Sequence, residues 1–172
     1  GGPGTGKTTI IEGIVRIFAD LNHLSLKLSD YKDRPYPILL AAPTGRAAKQ
    51  MNQVTRLPAE TIHRLLGLTA HDNDQDRNQV TKQLSGGLLI IDEMSMVDIY
   101  LFRLLVKAVP DGMKVVLVGD KDQLPSVGPG QIFSDLLKSN LIAKMELTTI
   151  HRQSADSTII PLAHCIKNGS LP

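Results

Sequence analysis

Gly1-Gly2-Pro3-Gly4-Thr5-Gly6-Lys7-Thr8 begins the sequence and matches the pattern G-x-x-x-x-G-K-T. Glycines in this pattern let backbone N–H groups close around phosphate oxygens, the lysine adds a fixed positive charge, and the final threonine can ligate Mg²⁺. The stretch therefore predicts a site for ATP and Mg²⁺, in which Lys7 also serves catalysis and Thr8 is a metal ligand. The predicted nucleotide-binding residues are Gly2, Pro3, Gly4, Thr5, Gly6, Lys7, Thr8 and Thr9.

A phosphate-binding loop joins a buried strand to a helix, and the residues after it alternate between helical and extended patterns. Short apolar runs predict parallel strands at 38–42, 88–91 and 114–118, and residues 144–147 are predicted as a further strand. Helices are predicted at 7–21, 45–51, 59–66, 97–109, 132–137 and 159–167. This alternation indicates an α/β fold of three α/β/α layers, in which a parallel sheet has helices on both faces and ligands bind at the carboxyl ends of its strands.

Composition narrows the class of protein only modestly. The 172 residues are 42% hydrophobic, which is enough apolar material for one compact domain. A formal net charge of +2 permits a phosphate-bearing partner without requiring one. The single cysteine, Cys165, excludes an internal disulfide framework and a multi-cysteine metal site. No apolar run approaches the ~20 residues that span a bilayer, so we expect a soluble, cytoplasmic chain without a membrane partner.

Two carboxylates, Asp92 and Glu93, follow the apolar run Leu89-Ile90-Ile91. Carboxylates at the end of a buried strand are costly unless a cation or a water network meets them. We therefore interpret Asp92 as a Mg²⁺ ligand and Glu93 as the general base that orients the attacking water. The alternative is that they cap a helix N-terminus; the phosphate-binding loop about 85 residues upstream favours the catalytic interpretation.

A third apolar run ends at Val118-Gly119-Asp120 and leads into a loop that contains Gln123. At the tip of a neighbouring parallel strand, a polar amide would face the same phosphate site. Gln123 is therefore a candidate sensor of the γ-phosphate. Taken alone, the segment favours the interpretation of a Gly/Pro-rich loop that has no function.

Six segments, in order, resemble the motifs of superfamily 1 helicases, and within them the RecD-like branch, the family of the exodeoxyribonuclease V alpha subunit, which is related to Pif1-type and relaxase-associated helicases. The segments are GGPGTGKTT at 1–9, APTGRAA at 42–48, TIHRLLG at 61–67, IDEMSMVD at 91–98, VGDKDQLPSVG at 118–128 and IHRQ at 150–153. The resemblance covers nearly the whole chain and implies a RecA-like motor domain.

The same resemblance implies a path for single-stranded DNA. Its predicted residues are Pro43, Thr44, Gly45, Arg46, Thr61, His63 and Arg64. With three Phe, three Tyr and no Trp, the chain has few aromatic side chains on which bases could stack, so we expect contacts to the DNA backbone. Two alternatives stay open: Arg46 as a solvated helix charge and His63 as a partly buried ring. Arg152 resembles a family arginine that reaches the γ-phosphate, and a surface salt bridge is its alternative.

The resemblance also implies what the parent protein contains. We expect a strand before the phosphate-binding loop and a second RecA-like domain with the motifs that do not occur after Arg152. The implied activity is ATP-driven 5′-to-3′ movement on DNA, with a nuclease complex as a further partner. A nucleotide-dependent regulatory subunit and a small-molecule kinase are the alternative classes. For residues 1–172 alone, weak to moderate nucleotide binding and near-background hydrolysis are expected, because an arginine finger contributes about 10³- to 10⁵-fold in rate.

Overall fold

The computed structural model describes residues 5–68, 82–123 and 128–148. The elements in chain order are α1 (Lys7–Leu21), β1 (Ile38–Ala42), α2 (Gly45–Thr55), β2 (Ala59–Thr61), α3 (Ile62–Leu65), β3 (Leu88–Ile91), α4 (Ile99–Ala108), β4 (Lys114–Leu117) and α5 (Ile132–Ser139). Two short 3₁₀ turns, Leu28–Tyr31 and Met94–Met96, lie between these elements.

The four strands form a parallel sheet in the order β2-β1-β3-β4. β3 is a run of four buried apolar residues, as expected for a parallel strand that is covered on both faces. In the register, Ala42 is opposite Thr61 and Ala41 is opposite Ile91, so the strands end together at one edge. The predicted strands at 38–42 and 88–91 are confirmed, and the third ends one residue earlier than predicted.

Alternate side chains of the strands enter two separate cores. On one face, α1 and α2 cover β1 and β3, and Ile11, Val15 and Ala19 of α1 recur at intervals of four residues. On the other face, α3 and α4 cover a cluster that includes Leu89 and Ile91. Helices on both faces of the sheet give three layers, which confirms the predicted α/β/α fold.

Two predicted elements were wrong. Residues 59–66 were predicted as one helix, but Ala59–Thr61 pairs with β1 as a strand and only Ile62–Leu65 is helical. Residues 144–147 form no strand: Met145 is 88% exposed, and the side chain of Lys144 bonds to Leu137 O at 2.8 Å instead. The predicted helix at 159–167 lies outside the described residues.

None of the helices in the described ranges is both long enough and apolar enough to cross a bilayer.

Candidate functional site

The candidate site is built where the parallel strands end. Backbone hydrogen bonds continue past the strands: Asp92 N donates to Ala41 O at 3.0 Å, and Met94 N donates to Val118 O at 2.9 Å. These bonds hold the residues that follow β3 against β1 on one side and against the residue that follows β4 on the other. In α/β proteins with a parallel sheet, ligands bind at this carboxyl edge, where polar residues follow the strands.

The phosphate-binding loop enters α1 at this site. Gly6 has φ 79°, a left-handed conformation that glycine adopts without steric cost, and it precedes the first helical residue, Lys7. Thr5 is buried, Thr8 is half-buried and Thr9 is exposed. The first turn of α1 contains no acidic residue, and the positive dipole end of a helix favours anions at this position. Gly2, Pro3 and Gly4 lie outside the described residues.

Asp92 and Glu93 lie within electrostatic reach of Lys7. Burial raises the pKa of the Asp92 carboxyl, while a hydrogen bond from Glu93 N to Asp92 Oδ1 at 2.8 Å and the charge of Lys7 oppose that shift. Burial also raises the pKa of Glu93, the neighbouring charge of Asp92 adds to it, and Lys7 again opposes it. The structure therefore brings the lysine of the loop near the two acids, which lie about 85 residues further along the chain. Their joint role in one nucleotide site stays a prediction.

Glu93 has two unusual features. Its backbone is left-handed, with φ 51° and ψ 39°, which is uncommon for a residue with a Cβ and costs about 1 kcal/mol. Its Oε2 atom is buried and has no hydrogen-bond partner. The negative charge of the buried Asp120, which is 1% exposed, disfavours the charged form of Glu93 further. A strained backbone and an unsatisfied buried oxygen are both costs to stability, and such costs concentrate at functional sites.

The residues present fit a magnesium ion that is shared with phosphates. Within residues 5–68, 82–123 and 128–148, no three His, Cys, Asp or Glu side chains form a cluster that could hold a metal alone. Mg²⁺ usually takes one or two carboxylates plus phosphate oxygens and water. Asp92 would supply one such carboxylate, and the Thr8 hydroxyl is the second protein group that the sequence predicts.

A cavity of about 400 Å³ lies beside the loop. It is lined by Thr5, Gly6, Thr9, Ile10, Glu146, Leu147 and Thr148. Lys121 Nζ lies 2.8 Å from Glu146 Oε1, and this ion pair connects the wall at 146–148 to the loop after β4. The pair lowers the pKa of Glu146 and raises that of Lys121. A volume of this size, next to the phosphate-binding loop, is large enough for part of a nucleotide.

Gln123 is exposed in the loop after β4. Ser95 Oγ donates to Gln123 Oε1 at 3.5 Å, and Gln123 N donates to Asp120 O at 3.3 Å. The structure therefore places Gln123 beside the turn that follows Glu93. Its role as a sensor stays a prediction.

The candidate DNA residues lie at the same edge, after β1 and β2. Thr44 Oγ1 accepts from Ala47 N at 3.3 Å and caps α2, and Thr61 Oγ1 accepts from Arg64 N at 3.2 Å and caps α3. The sequence analysis missed these capping roles, although a threonine immediately before a helical pattern is a recognised signal for them. The candidate residues whose side chains carry no such capping role are Pro43, Gly45, Arg46, His63 and Arg64.

Four of these five residues are exposed, and one of the four, Arg64, forms an ion pair. Gly45, Arg46, His63 and Arg64 are exposed, while Pro43 is half-buried. Arg64 Nε lies 3.5 Å from Glu60 Oε2, an i,i+4 pair on the surface. DNA contact by this set stays a prediction. Arg152 lies outside the described residues, as does the whole segment 149–172.

A left-handed glycine and a lysine at the start of a helix, beside two acids at the end of a neighbouring parallel strand, define a P-loop NTPase. The chain belongs to the AAA domain family, whose model matches residues 1–129. It is 38% identical, over its whole length, to the ATP-dependent RecD2 DNA helicase of Deinococcus radiodurans. It is 35% identical, over 98% of its length, to the RecBCD enzyme subunit RecD of Mycolicibacterium smegmatis.

A solved structure gives the same result at the level of the fold. Unliganded Pif1 from Bacteroides sp. matches 98% of this chain and 41% of its own, with a TM-score of 0.58 and 26% identity. The predicted resemblance to the motor domain of RecD-like superfamily 1 helicases is confirmed. The chain spans 22% of the Deinococcus relative and 32% of the Mycolicibacterium relative.

Proposed function

We propose that this chain is the first RecA-like motor domain of an ATP-dependent DNA helicase, which binds ATP–Mg²⁺ and the backbone of single-stranded DNA. In the full-length protein, ATP hydrolysis would drive 5′-to-3′ movement; that direction rests on the RecD-like resemblance alone. The observation that carries the proposal is the proximity of Lys7 to Asp92 and Glu93 at the carboxyl edge of the sheet. The name of the Deinococcus relative, an ATP-dependent DNA helicase, supports the same reaction.

The residues divide the work of phosphoryl transfer between them. Lys7 and the backbone of residues 2–9 would bind the phosphates, and Thr8 and Asp92 would hold Mg²⁺, which supplies neutralising charge when bound. Glu93 would orient the attacking water and accept its proton. Because burial raises the pKa of Glu93, its carboxylate is a stronger base than one in water. Gln123 would contact the γ-phosphate, and Arg152 would stabilise the charge that develops on it.

The capping threonines can also donate hydrogen bonds to DNA. A threonine hydroxyl has one donor hydrogen in addition to its acceptor lone pairs. Thr44 and Thr61 use an acceptor position for their helix caps, so each hydroxyl hydrogen is free to donate to a phosphate oxygen. Arg46 and His63, both exposed near these caps, would add charge or a further donor. Contacts of this kind bind the backbone without reading sequence.

The parent protein would complete the site. β4 is an edge strand of the described sheet, and Val115 within it is 42% exposed, so we propose that a strand upstream of the phosphate-binding loop pairs there. A second motor domain would close on the nucleotide.

The RecBCD subunit name of the Mycolicibacterium relative supports a multi-subunit nuclease complex as a partner. We place the protein in the cytoplasm, where ATP and DNA are both present.

The test is DNA-stimulated ATP turnover by the full-length protein. Lys7→Ala and Glu93→Gln should each abolish the stimulation, and Glu93→Gln should retain nucleotide binding. Lys27→Ala is a matched control, because Lys27 is an exposed lysine in the connection between α1 and β1, away from the strand ends. Unchanged turnover in either site variant would refute the proposal. Nucleotide binding without DNA unwinding would favour a regulatory subunit instead.

A further inference from the structure

The cavity beside the phosphate-binding loop does not contain the groups that would hold the γ-phosphate. Thr9 and Ile10, in the first turn of α1, line the cavity, whereas Lys7 and the two acids do not. Lys7 lies instead within electrostatic reach of Asp92 and Glu93 at the strand ends. With the γ-phosphate there, the part of ATP that can occupy the cavity is its other end, the nucleoside.

Two stretches of chain line the cavity, and each contributes one large apolar side chain. From α1 it is Ile10, which is 39% exposed, although the next residue, Ile11, is wholly buried in the core. Consecutive residues of a helix point about 100° apart, so Ile10 turns away from that core. From residues 146–148 it is Leu147, which is half-buried while the other described residues of 141–148 are all exposed.

Polar contacts hold residues 146–148 in place without a strand. Lys144 Nζ donates to Leu137 O at 2.8 Å, which ties the segment to α5. Glu146 pairs with Lys121 at 2.8 Å, which ties it to the loop after β4. Among the described lining residues, Glu146 is the one with a charged side chain, and a carboxylate disfavours a phosphate nearby. This side of the cavity therefore suits an uncharged group.

The base of a nucleotide is such a group, because every base has a flat π-face that packs on other side chains. Covering that face with aliphatic carbon removes apolar surface from water, which is favourable. We propose that Ile10 and Leu147 form an aliphatic clamp for the base of ATP. The inference rests on the proposed function and adds the residues that bind the nucleoside. Neither side chain has a hydrogen-bonding group, so the clamp binds the face of a base and not its edge.

Nucleotide affinity of the full-length protein tests the clamp. We would measure Kd by titration calorimetry, with Mg²⁺ present, for ADP and for inorganic pyrophosphate, which has no base. Ile10→Ala and Leu147→Ala should each raise Kd for ADP by about three- to tenfold, because each removes carbons that the base would cover. Kd for pyrophosphate should change by less than about twofold, since the phosphates bind elsewhere.

Two further measurements separate the face of the base from its edge and binding from chemistry. IDP differs from ADP at the edge of its base, so each variant should lose affinity for IDP and for ADP by the same factor, within about twofold. In DNA-stimulated turnover, KM for ATP should rise by a factor similar to that for Kd. The kcat should stay within about twofold, because the clamp contacts the base equally before and during the reaction.

Each variant has a matched control on its own segment. Ile17→Ala changes another isoleucine of α1, which is 61% exposed, and Met145→Ala changes a residue that is 88% exposed and two positions before Leu147. Neither control residue lines the cavity, so both should change Kd for ADP by less than about twofold. Losses in the controls equal to those in the clamp variants would overturn the clamp.

The remaining outcomes separate this proposal from the proposed function. Equal losses of affinity for ADP and pyrophosphate would show that the two side chains support the phosphate-binding loop, and would overturn the clamp. Unchanged ADP affinity in both variants of a protein with DNA-stimulated turnover would overturn the clamp alone. Absence of both nucleotide binding and stimulated turnover in the native protein would overturn both proposals. Ile10 and Leu147 lie on different segments, so either variant decides the matter if the other does not fold.

Discussion

Glu93→Gln should make the nucleotide-free protein more stable while it removes activity. The buried Oε2 of Glu93 has no hydrogen-bond partner, and an unsatisfied buried polar group costs about 1–3 kcal/mol. Glutamine keeps a polar atom at this position but removes the charge, which burial and Asp92 both disfavour, so for a half-buried residue we expect about 1–2 kcal/mol of stabilisation. For a chain of this size, each kcal/mol raises Tm by about 2–4 °C.

The pH dependence of the stabilisation identifies its cause. The pKa of Glu93 is raised in the folded protein. The folded state therefore retains a proton that the unfolded chain loses near the usual pKa of a glutamate, about 4.3. Stability therefore falls as pH rises from about that value through the raised pKa, and glutamine removes the contribution of Glu93 to this fall. The raised pKa of Asp92 leaves a contribution of the same sign in both forms. The advantage of Glu93→Gln should be small near the unfolded-state pKa and complete above the folded-state pKa.

The assay is urea unfolding of both forms across this pH range, with a chelator and without nucleotide. Glu12→Gln is the control, since Glu12 pairs with Arg16 at 2.8 Å on the exposed side of α1 and should change stability by less than about 0.5 kcal/mol. A glutamine variant that is less stable than the native protein, or a difference that does not vary with pH, would refute the reasoning that Glu93 carries a destabilising buried charge.

Three further changes test other contacts. Thr44→Ala should lower the free energy of unfolding by about 1 kcal/mol in urea because it removes the α2 cap, and Thr44→Ser should not; equal losses would exclude the cap as the cause. Ile90→Ala should lower the free energy of unfolding by about 2–5 kcal/mol in the same assay, since Ile90 is wholly buried in β3. A decrease below about 1 kcal/mol would show that the core relaxes to fill the cavity. Lys121→Glu should weaken binding of a fluorescent ADP analogue by about two- to fivefold, and adding Glu146→Lys should restore it; failure of that restoration would exclude the ion pair.

Continuous apolar runs made the central sheet predictable. Leu88–Ile91 and Ile38–Ala42 were found at the predicted residues because an interior parallel strand must be apolar on both faces. α1 was also found at its predicted bounds, since its apolar spacing is strictly helical and a left-handed glycine precedes it. The proximity of Lys7 to Asp92 followed from the same topology, because parallel strands end at one edge.

Short and exposed segments were not predictable in this way. Ala59–Thr61 is a strand only because β1 offers it a paired edge, a contact that a three-residue pattern does not encode. Residues 144–147 alternate as a strand would, but the side chains of Lys144 and Glu146 bond to α5 and to Lys121 instead. The contact between Asp98 and Gly128 joins residues thirty apart and depends on backbone geometry, so no sequence pattern reveals it.

β1 lies between β2 and β3, so the strand ends that carry the DNA candidates are one or two interstrand spacings from Asp92, about 5–10 Å. The Debye length at physiological ionic strength is about 8 Å. A polynucleotide and a triphosphate held at these ends would repel each other, except to the extent that magnesium and Lys7 neutralise the triphosphate. Release of the γ-phosphate would relieve that repulsion, so the diphosphate-bound protein should bind a DNA strand with higher affinity than the triphosphate-bound protein. Added salt should diminish this difference in affinity.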